Sequence, residues 1–426
     1  MADRVDVAEV DLWGTQIGAV SWDEGRRLAS YEYDPKFLSS GVELAPLTMP
    51  LEPAIYSFPE LDFSTFRGLP GMLADSLPDR YGHFLIDTWL ARRGRDRSSF
   101  SPVEELCYIG SRGMGALEYR PAFSGRDRSA QVEVDELADL AAEVLGSRET
   151  LRSDLNDQGL AELLLVGTSA GGARAKAIIA WNPSTGEVRS GQVSAPGGFE
   201  HWILKFDGVG SSDRDLIDTK GYGRIEYAYF QMARDSGITM ADSRLYVDKA
   251  ERAHFMTRRF DRTDGQKVHM QTLAALAHWD YNQAGVHAYE DALAVTLGLC
   301  GAGDTTQLYR RMVFNVVSRN QDDHTKNISY VMDRSGAWRL SPAYDMTWAY
   351  NPKGDWTSRH QMTIAGKRDD LTRSDLLTVA EQFGIGGPDE IIDEVVETVS
   401  DWKRYGVDAG VDPTYLDRIS ANQRLL

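Results

Sequence analysis

The sequence predicts an α+β fold of two lobes: a β-rich N-terminal part that begins with an extra module, then a mainly helical C-terminal lobe. Three observations predict it. Residues 5–33, "VDVAEVDLWGTQIGAVSWDEGRRLASYEY", alternate apolar and polar side chains, which puts one set on the buried face of a pleated sheet. Between 160 and 262, the runs "AELLLVG", "AKAIIAWN", "HWILKFD", "SRLYVD" and "HFMTRRFDR" have the length and residue types of strands. Beyond 300, apolar residues return every three or four positions, the period of a helix.

The elements follow in order. Gly14 and Asp23-Glu24-Gly25 read as turns of an antiparallel meander. In "GLPGMLADSLPDRYGHFLIDTWLARRG", Phe84, Leu85, Trp89 and Leu90 recur at helical spacing, and "GSRGMGALEYRPA" returns to strand. The polar stretch from Ser124 to Ala130 reads as a linker. Leu137, Leu140, Ala141 and Val144 then share one face of a helix that Gly146 stops. This predicts a module over residues 1–125, a second part over 126–262 and a helical lobe over 263–426. In the second part, "RIEYAYFQMARDSG" places Ile225, Tyr229, Met232 and Ala233 on one side of a helix. In the third, Leu308, Met312, Val313, Val316 and Val317 form a buried face. Ser374 reads as a helix N-cap and Gly384 as that helix's stop. Ile391, Ile392, Val395, Val396, Val399 and Trp402 make a core stripe.

Composition narrows the function. The chain has 426 residues, enough for two or three domains, with 42% hydrophobic and 26% charged residues, as in soluble globular proteins. No apolar run is long enough to span a membrane, and the first residues do not read as a secretory signal. A net charge of −18 repels nucleic acid, which argues against a stand-alone DNA binder. Cys107 and Cys300 lie far apart without metal-ligand spacing and are expected as free thiols in a reducing cytoplasm.

The stretch "LLLVGTSAGGARAKAIIAW" offers three chemistries. Gly167-Thr168-Ser169-Ala170-Gly171 matches G-x-S-x-G, the nucleophile elbow of serine hydrolases, which requires strand, turn and helix. The run from Ala177 to Trp181 reads instead as a strand, followed by a turn at Asn182-Pro183-Ser184-Thr185-Gly186. Gly167 and Gly172 have Walker A spacing, but Ala173 stands where that motif requires lysine. The reading that survives is strand, glycine loop, strand, the arrangement that lays backbone N–H groups over ATP phosphates in protein kinases.

Further residues fit that reading. Lys205 lies inside the apolar strand "WILKFD" and needs an anionic partner there. Glu226, on the helix that follows, is the candidate. The segment "VVSRNQDDHTKNISYVM" follows a helix and leads into a strand. In it Asp322 precedes Asn327 by five residues, the spacing of a kinase catalytic aspartate and its magnesium-binding asparagine; Asp323 is one short. A carboxylate there accepts the proton of the attacking hydroxyl, and an amide oxygen on the same loop holds Mg²⁺. His324 and Lys326 add positive charge. Asp345, after the hairpin "ISYVMDRSGAWRLSPAYDMTW", has the place of the second metal carboxylate, but Asp345-Met346-Thr347 is not D-F-G and the activation-loop signature is missing.

With these residues the chain resembles the HipA family, serine/threonine-kinase toxins of bacterial type II toxin–antitoxin modules, over nearly its whole length. "GLPGMLADSLPDRYG" and "GMGALEY" resemble the family's N-terminal module. "GTSAGGARAKA" is similar to its glycine loop, "ILKFD" to the lysine strand, "TRRFDR" to the hinge, and "DDHTKNISY" with "SPAYD" to the catalytic core. Ala175, where the most similar subgroup would carry proline, is a departure. The resemblance implies a two-lobed, protein-kinase-like fold with Asp322 as catalytic aspartate and Asn327 and Asp345 on Mg²⁺. It implies ATP contacts from Ser169, Ala170, Gly171, Gly172, Ala173, Lys176 and Lys205. The backbone at Arg258, Arg259 and Phe260 would hold the adenine, with His324 and Lys326 near the phosphates. Ser169 would be autophosphorylated, which would eject the loop from its ATP-binding pose. The implied partners are a HipB-like helix-turn-helix antitoxin, DNA only through that antitoxin, and a protein substrate, an aminoacyl-tRNA synthetase in some members. Two other readings stand beside this one: a silent kinase-fold interaction module, and a serine hydrolase using Ser169.

Overall fold

A computed structural model describes residues 5–92, 94–122, 131–146, 157–167, 174–192, 195–209 and 220–426. The expected linker at 124–130 and the loop residues Ser169 to Ala173 lie outside the described residues.

The N-terminal meander forms as its alternation requires. Strands β1 (Val7–Leu12), β2 (Thr15–Asp23), β3 (Leu28–Tyr33), β4 (Ile55–Tyr56) and β5 (Leu117–Arg120) build an antiparallel sheet in the order β4-β3-β2-β1-β5. Trp13 and Gly14 both take positive φ, as a two-residue hairpin turn of type I′ requires. Helices α1 (Phe63–Phe66), α2 (Gly71–Ala74), α3 (Arg80–Arg92) and α4 (Pro102–Ile109) fall between β4 and β5. Ser101 and Glu104 close a capping box at the start of α4, whose residues are all buried beneath the sheet.

Two helices, α5 (Val134–Gly146) and α6 (Asp157–Gly167), precede the second sheet. That sheet holds β6 (Lys176–Trp181), β7 (Val188–Ser190), β8 (Glu200–Lys205), β9 (Ser243–Val247) and β10 (Ala253–Arg258) in the antiparallel order β7-β6-β8-β10-β9. Helix α7 (Tyr222–Asp235) packs on β9 and β10 and buries Ile225, Tyr229, Met232 and Ala233. Helix α6 corrects the reading of "AELLLVG" as a strand. Short apolar runs carry no period that separates strand from helix, and Ala, Leu and Glu favour helix. Leu160, Leu163 and Leu164 are buried at helical spacing, in a core shared with α3, α5 and β6. The glycine loop therefore joins a helix to a strand, not two strands.

The C-terminal lobe follows the short strands β11 (Arg262–Thr263) and β12 (Gln266–Lys267). It contains β13 (His269–Thr272), α8 (Leu273–Ala277), α9 (Tyr289–Cys300), α10 (Ala302–Ser318), β14 (Ser329–Met332) and β15 (Trp338–Leu340). Helices α11 (Arg373–Phe383), α12 (Pro388–Ser400), α13 (Trp402–Asp408) and α14 (Pro413–Ser420) complete it. The cap of α11 is Thr372 rather than Ser374: Thr372 and Asp375 form the capping box and Ser374 is inside the helix. Asp375 at the third helical position decides this, because its carboxylate reaches back to the Thr372 N–H at 2.9 Å. Gly384 ends α11 in the left-handed conformation. Cys107 and Cys300 are free thiols.

The cores do not respect sequence order. One apolar cluster joins the first sheet to the C-terminal lobe, and a second joins α3 to α5, α6 and the second sheet. A polar knot reinforces the join. Asp261, fully buried, accepts 2.8 and 2.6 Å bonds from Arg259, 2.8 Å from Arg262 and 2.7 Å from the Gly115 N–H. Burial alone would raise its pKa, but the two guanidiniums hold it well below the usual carboxylate range. Asp261→Ala leaves Arg259 buried without its anion and is expected to cost about 3–5 kcal/mol, read as a lower urea midpoint.

Candidate active site

A cleft of about 900 Å³ lies between the second sheet and the C-terminal lobe, with one wall from the N-terminal module. Its lining includes Lys176, Lys205, Glu226, Asp322, His324, Lys326, Asn327 and Asp345. The fold thus gathers onto one surface residues that lie far apart in the chain.

Lys205 ends β8 directly opposite Lys176 on β6. Two cations in register would repel, so each needs its own anion. Lys205 Nζ lies 2.5 Å from Glu226 Oε1 and also contacts Asp345 Oδ1. Lys176 Nζ lies 2.9 Å from Asp79 Oδ2, with both side chains buried. Glu226 is placed by α7, and its other oxygen is 3.7 Å from Arg174. Burial would strip Lys205 of its proton, but Asp345 and Glu226 outweigh that and raise its pKa. The same pairing holds Asp345 below its ordinary value against the pull of burial.

The segment from α10 to β14 carries the other groups. Its Asn327 Nδ2 donates 2.7 Å to the carbonyl of Asp322, which fixes the turn and leaves the amide oxygen able to meet a metal ion. Asp322 Oδ1 accepts 2.6 Å from Trp356 Nε1 and is 3.8 Å from His324 Nε2. Burial raises the Asp322 pKa, Asp345 and Asp323 add to the rise, and His324 and the Trp356 hydrogen bond oppose it. Asp323 does different work. It is buried and accepts from Tyr289 at 3.1 Å and the Gln361 N–H at 2.7 Å, with His360 Nδ1 at 2.8 Å. Lys326 lies 5.0 Å from the Tyr281 ring centroid, and that ring, Asp75 and Asp79 raise its pKa over the opposing effect of burial.

At the hinge, the N–H groups of Arg258 and Arg259 are used on the Asp242 and His201 carbonyls, at 2.7 and 2.9 Å. The Arg259 side chain is spent on Asp261, and Phe260 packs on Tyr344 with centroids 5.9 Å apart. Arg258 is half exposed and sits 3.7 Å from both Glu200 and Asp242. Sequence reasoning missed Asp79, Arg174, Tyr281 and Trp356. Arg174 lies in the glycine stretch and Asp79 in "GLPGMLADSLPDRYG", but neither was singled out; Tyr281 and Trp356 carry no motif.

Among the described residues, no three His, Cys, Asp or Glu side chains form a metal site of their own. A phosphate-bound Mg²⁺ needs only one or two protein oxygens, and the Asn327 amide oxygen and the Asp345 carboxylate fit that requirement. No helix among the described residues is long and apolar enough to cross a membrane.

Fold and cleft together define a two-lobed protein of the protein-kinase-like class. The model described as the HipA-like C-terminal domain matches residues 168–403, and that of the HipA N-terminal domain matches 8–120. The chain belongs to the HipA family. A chain of the Shewanella oneidensis MR-1 toxin–antitoxin complex of HipA, HipB and its operator DNA superposes with TM-score 0.68 and 14% identity. That match covers 97% of this chain and 95% of the other. The Helicobacter pylori proinflammatory kinase CtkA matches at TM-score 0.35 and 11% identity over 53% of this chain and 88% of its own, a likeness too slight to argue from. No curated protein matches.

Proposed function

We propose that the protein is a HipA-type kinase that transfers the γ-phosphoryl group of ATP to a serine or threonine of a protein, with Mg²⁺. The observation that carries this is the meeting of the Lys205–Glu226–Asp345 network with Asp322 and Asn327 in one cleft. In this reading residues 1–125 are the N-terminal module, 126–262 the ATP-binding lobe and 263–426 the catalytic lobe.

Lys205 and Lys326 hold the phosphates, with Lys176 adding positive charge and His324 lining the cleft beside them. Asn327 and Asp345 would hold Mg²⁺, which when bound neutralises phosphate charge. The Phe260 N–H, without a partner among the described residues, is the hinge donor for adenine. Asp322 takes the proton of the substrate hydroxyl as its oxygen bonds to the γ-phosphorus; the bond to the β,γ-bridging oxygen breaks and ADP leaves. The pairing of Lys205 with Glu226 is that of an assembled kinase lobe.

The hydrolase reading loses support because a nucleophile elbow needs a strand before the serine and a helix after it, whereas α6 precedes the loop and β6 follows it. The silent-module reading has to leave Asp322, Asn327 and Asp345 without a role. Because its structural neighbour is found in a complex with HipB and operator DNA, a HipB-like antitoxin is the proposed partner, with DNA reached through it. The proposed compartment is the cytoplasm, and the proposed substrate class includes aminoacyl-tRNA synthetases.

The test incubates purified, dephosphorylated protein with labelled ATP and Mg²⁺ and maps phosphate by mass spectrometry. The expected result is phosphate on Ser169 in the wild type and none in Asp322→Asn. Ser169→Asp should weaken ATP binding. A wild type that binds ATP yet phosphorylates neither itself nor any protein in a lysate of its host overturns the kinase reading in favour of the silent module.

A further inference from the structure

The loop after Asp345 comes back over the turn that carries Asp322 and is fastened there. Gln361 Nε2 donates to the carbonyls of Trp356, Arg359 and Gln321 at 2.5, 3.0 and 3.0 Å. The Gln361 N–H and His360 meet the two oxygens of buried Asp323 at 2.7 and 2.8 Å. This brings the indole of Trp356 to Asp322, where Nε1 donates 2.6 Å to Oδ1. Asn327 meanwhile holds the Asp322 carbonyl at 2.7 Å. The backbone of Asp322 and one carboxylate oxygen are therefore both fixed, and Oδ2 is left to take a proton.

We infer that Trp356 is a positioning residue for the base: its N–H holds one oxygen of the Asp322 carboxylate and so sets the rotamer that presents Oδ2 to the substrate hydroxyl. This rests on the kinase reading of the cleft. Without that donor the carboxylate is free to turn about its side-chain bonds, so the base leaves its place in the transition state while the nucleotide contacts are untouched.

Trp356→Phe keeps an aromatic ring and deletes the N–H. With autophosphorylation or a protein acceptor as the assay, kcat should fall about tenfold while KM for ATP stays within about twofold, and the same change in an Asp322→Asn background should cost no further activity. An unchanged kcat, a rise in KM alone, or a loss that persists in the Asp322→Asn background leaves Trp356 a structural residue and overturns the inference. A second readout does not need turnover. In ¹⁵N-tryptophan-labelled protein, the indole N–H resonance missing from Trp356→Phe should shift in Asp322→Ala, which removes its acceptor. If the resonance is the same in the two proteins, the inference falls. Absence of phosphoryl transfer in the wild type is a separate result that counts against the kinase reading.

Discussion

Asp322→Asn should lower kcat by about 10²–10⁴-fold, the usual worth of a positioned general base, while ATP still binds. The amide keeps the shape of the side chain, and its oxygen can still accept the Trp356 bond; what it loses is the ability to take a proton. The same variant should be more stable than the wild type at pH 7. The folded state raises the Asp322 pKa, so the native protein binds the proton more tightly than the unfolded chain does. By linkage the contribution of Asp322 to stability then falls as pH rises through its unfolded and folded values, and at neutral pH the buried charge is a cost. Asn carries no such charge. The advantage should shrink as the pH drops into the range where Asp322 is protonated in both states. Thermal unfolding at pH 7 and near pH 4, beside a kcat measurement, checks both halves. A variant as active as the wild type moves the base elsewhere in the cleft.

The sequence revealed the turn that carries Asp322 and Asn327 because both partners lie within six residues, between a long periodic helix and a short strand. Apart from the two-residue β4, which is too short to show a pattern, the strands of both sheets were legible for a similar reason: alternation, or a β-branched and aromatic run closed by a turn such as Asn182 to Gly186. Three other things were not. The run containing Leu163 and Leu164 has no period that tells strand from helix, and only its packing against α3 and β6 resolves it as α6. The α11 cap was misplaced by two residues because Ser374 and Thr372 both suit that role, and the carboxylate of Asp375 chooses between them. The partners of the charged residues were the least legible. Asp79 caps α3 through the Gly82 N–H at 2.7 Å, yet it also neutralises Lys176 of β6, which lies almost a hundred residues further along the chain. Trp356 sits in a polar loop that no chemical motif marks. Such contacts are made by tertiary folding alone, so spacing rules do not reach them.

Lys205→Met is expected to give the largest combined loss. Glu226, with 2% of its side chain exposed, would keep Arg174 at 3.7 Å as its one cation among the described residues, and Asp345 would lose its direct cation. Removing one partner of a buried pair costs about 3–5 kcal/mol, and the 30% exposure of Asp345 places the expected value at the lower end. ATP affinity should fall about ten- to a hundredfold as one charged phosphate contact disappears. The pH dependence identifies the cause. In the wild type, the depressed Asp345 pKa gives stability that is present above the unfolded carboxylate value and lost as pH falls through the folded one. The raised Lys205 pKa gives stability present below the ordinary lysine value and lost as pH rises through the folded one. Without Lys205, burial dominates Asp345 and raises its pKa, so the sign reverses and acid favours the folded variant. The stability deficit of Lys205→Met should therefore be greatest near pH 7 and smaller near pH 4 and at strongly alkaline pH, as measured by urea denaturation. Adding Glu226→Leu should recover part of the deficit at pH 7, because it removes the stranded anion, but should not restore ATP binding. A double variant no more stable than Lys205→Met would mean that Arg174 already neutralises Glu226, and that Lys205 serves Asp345 and the nucleotide rather than the Glu226 pairing.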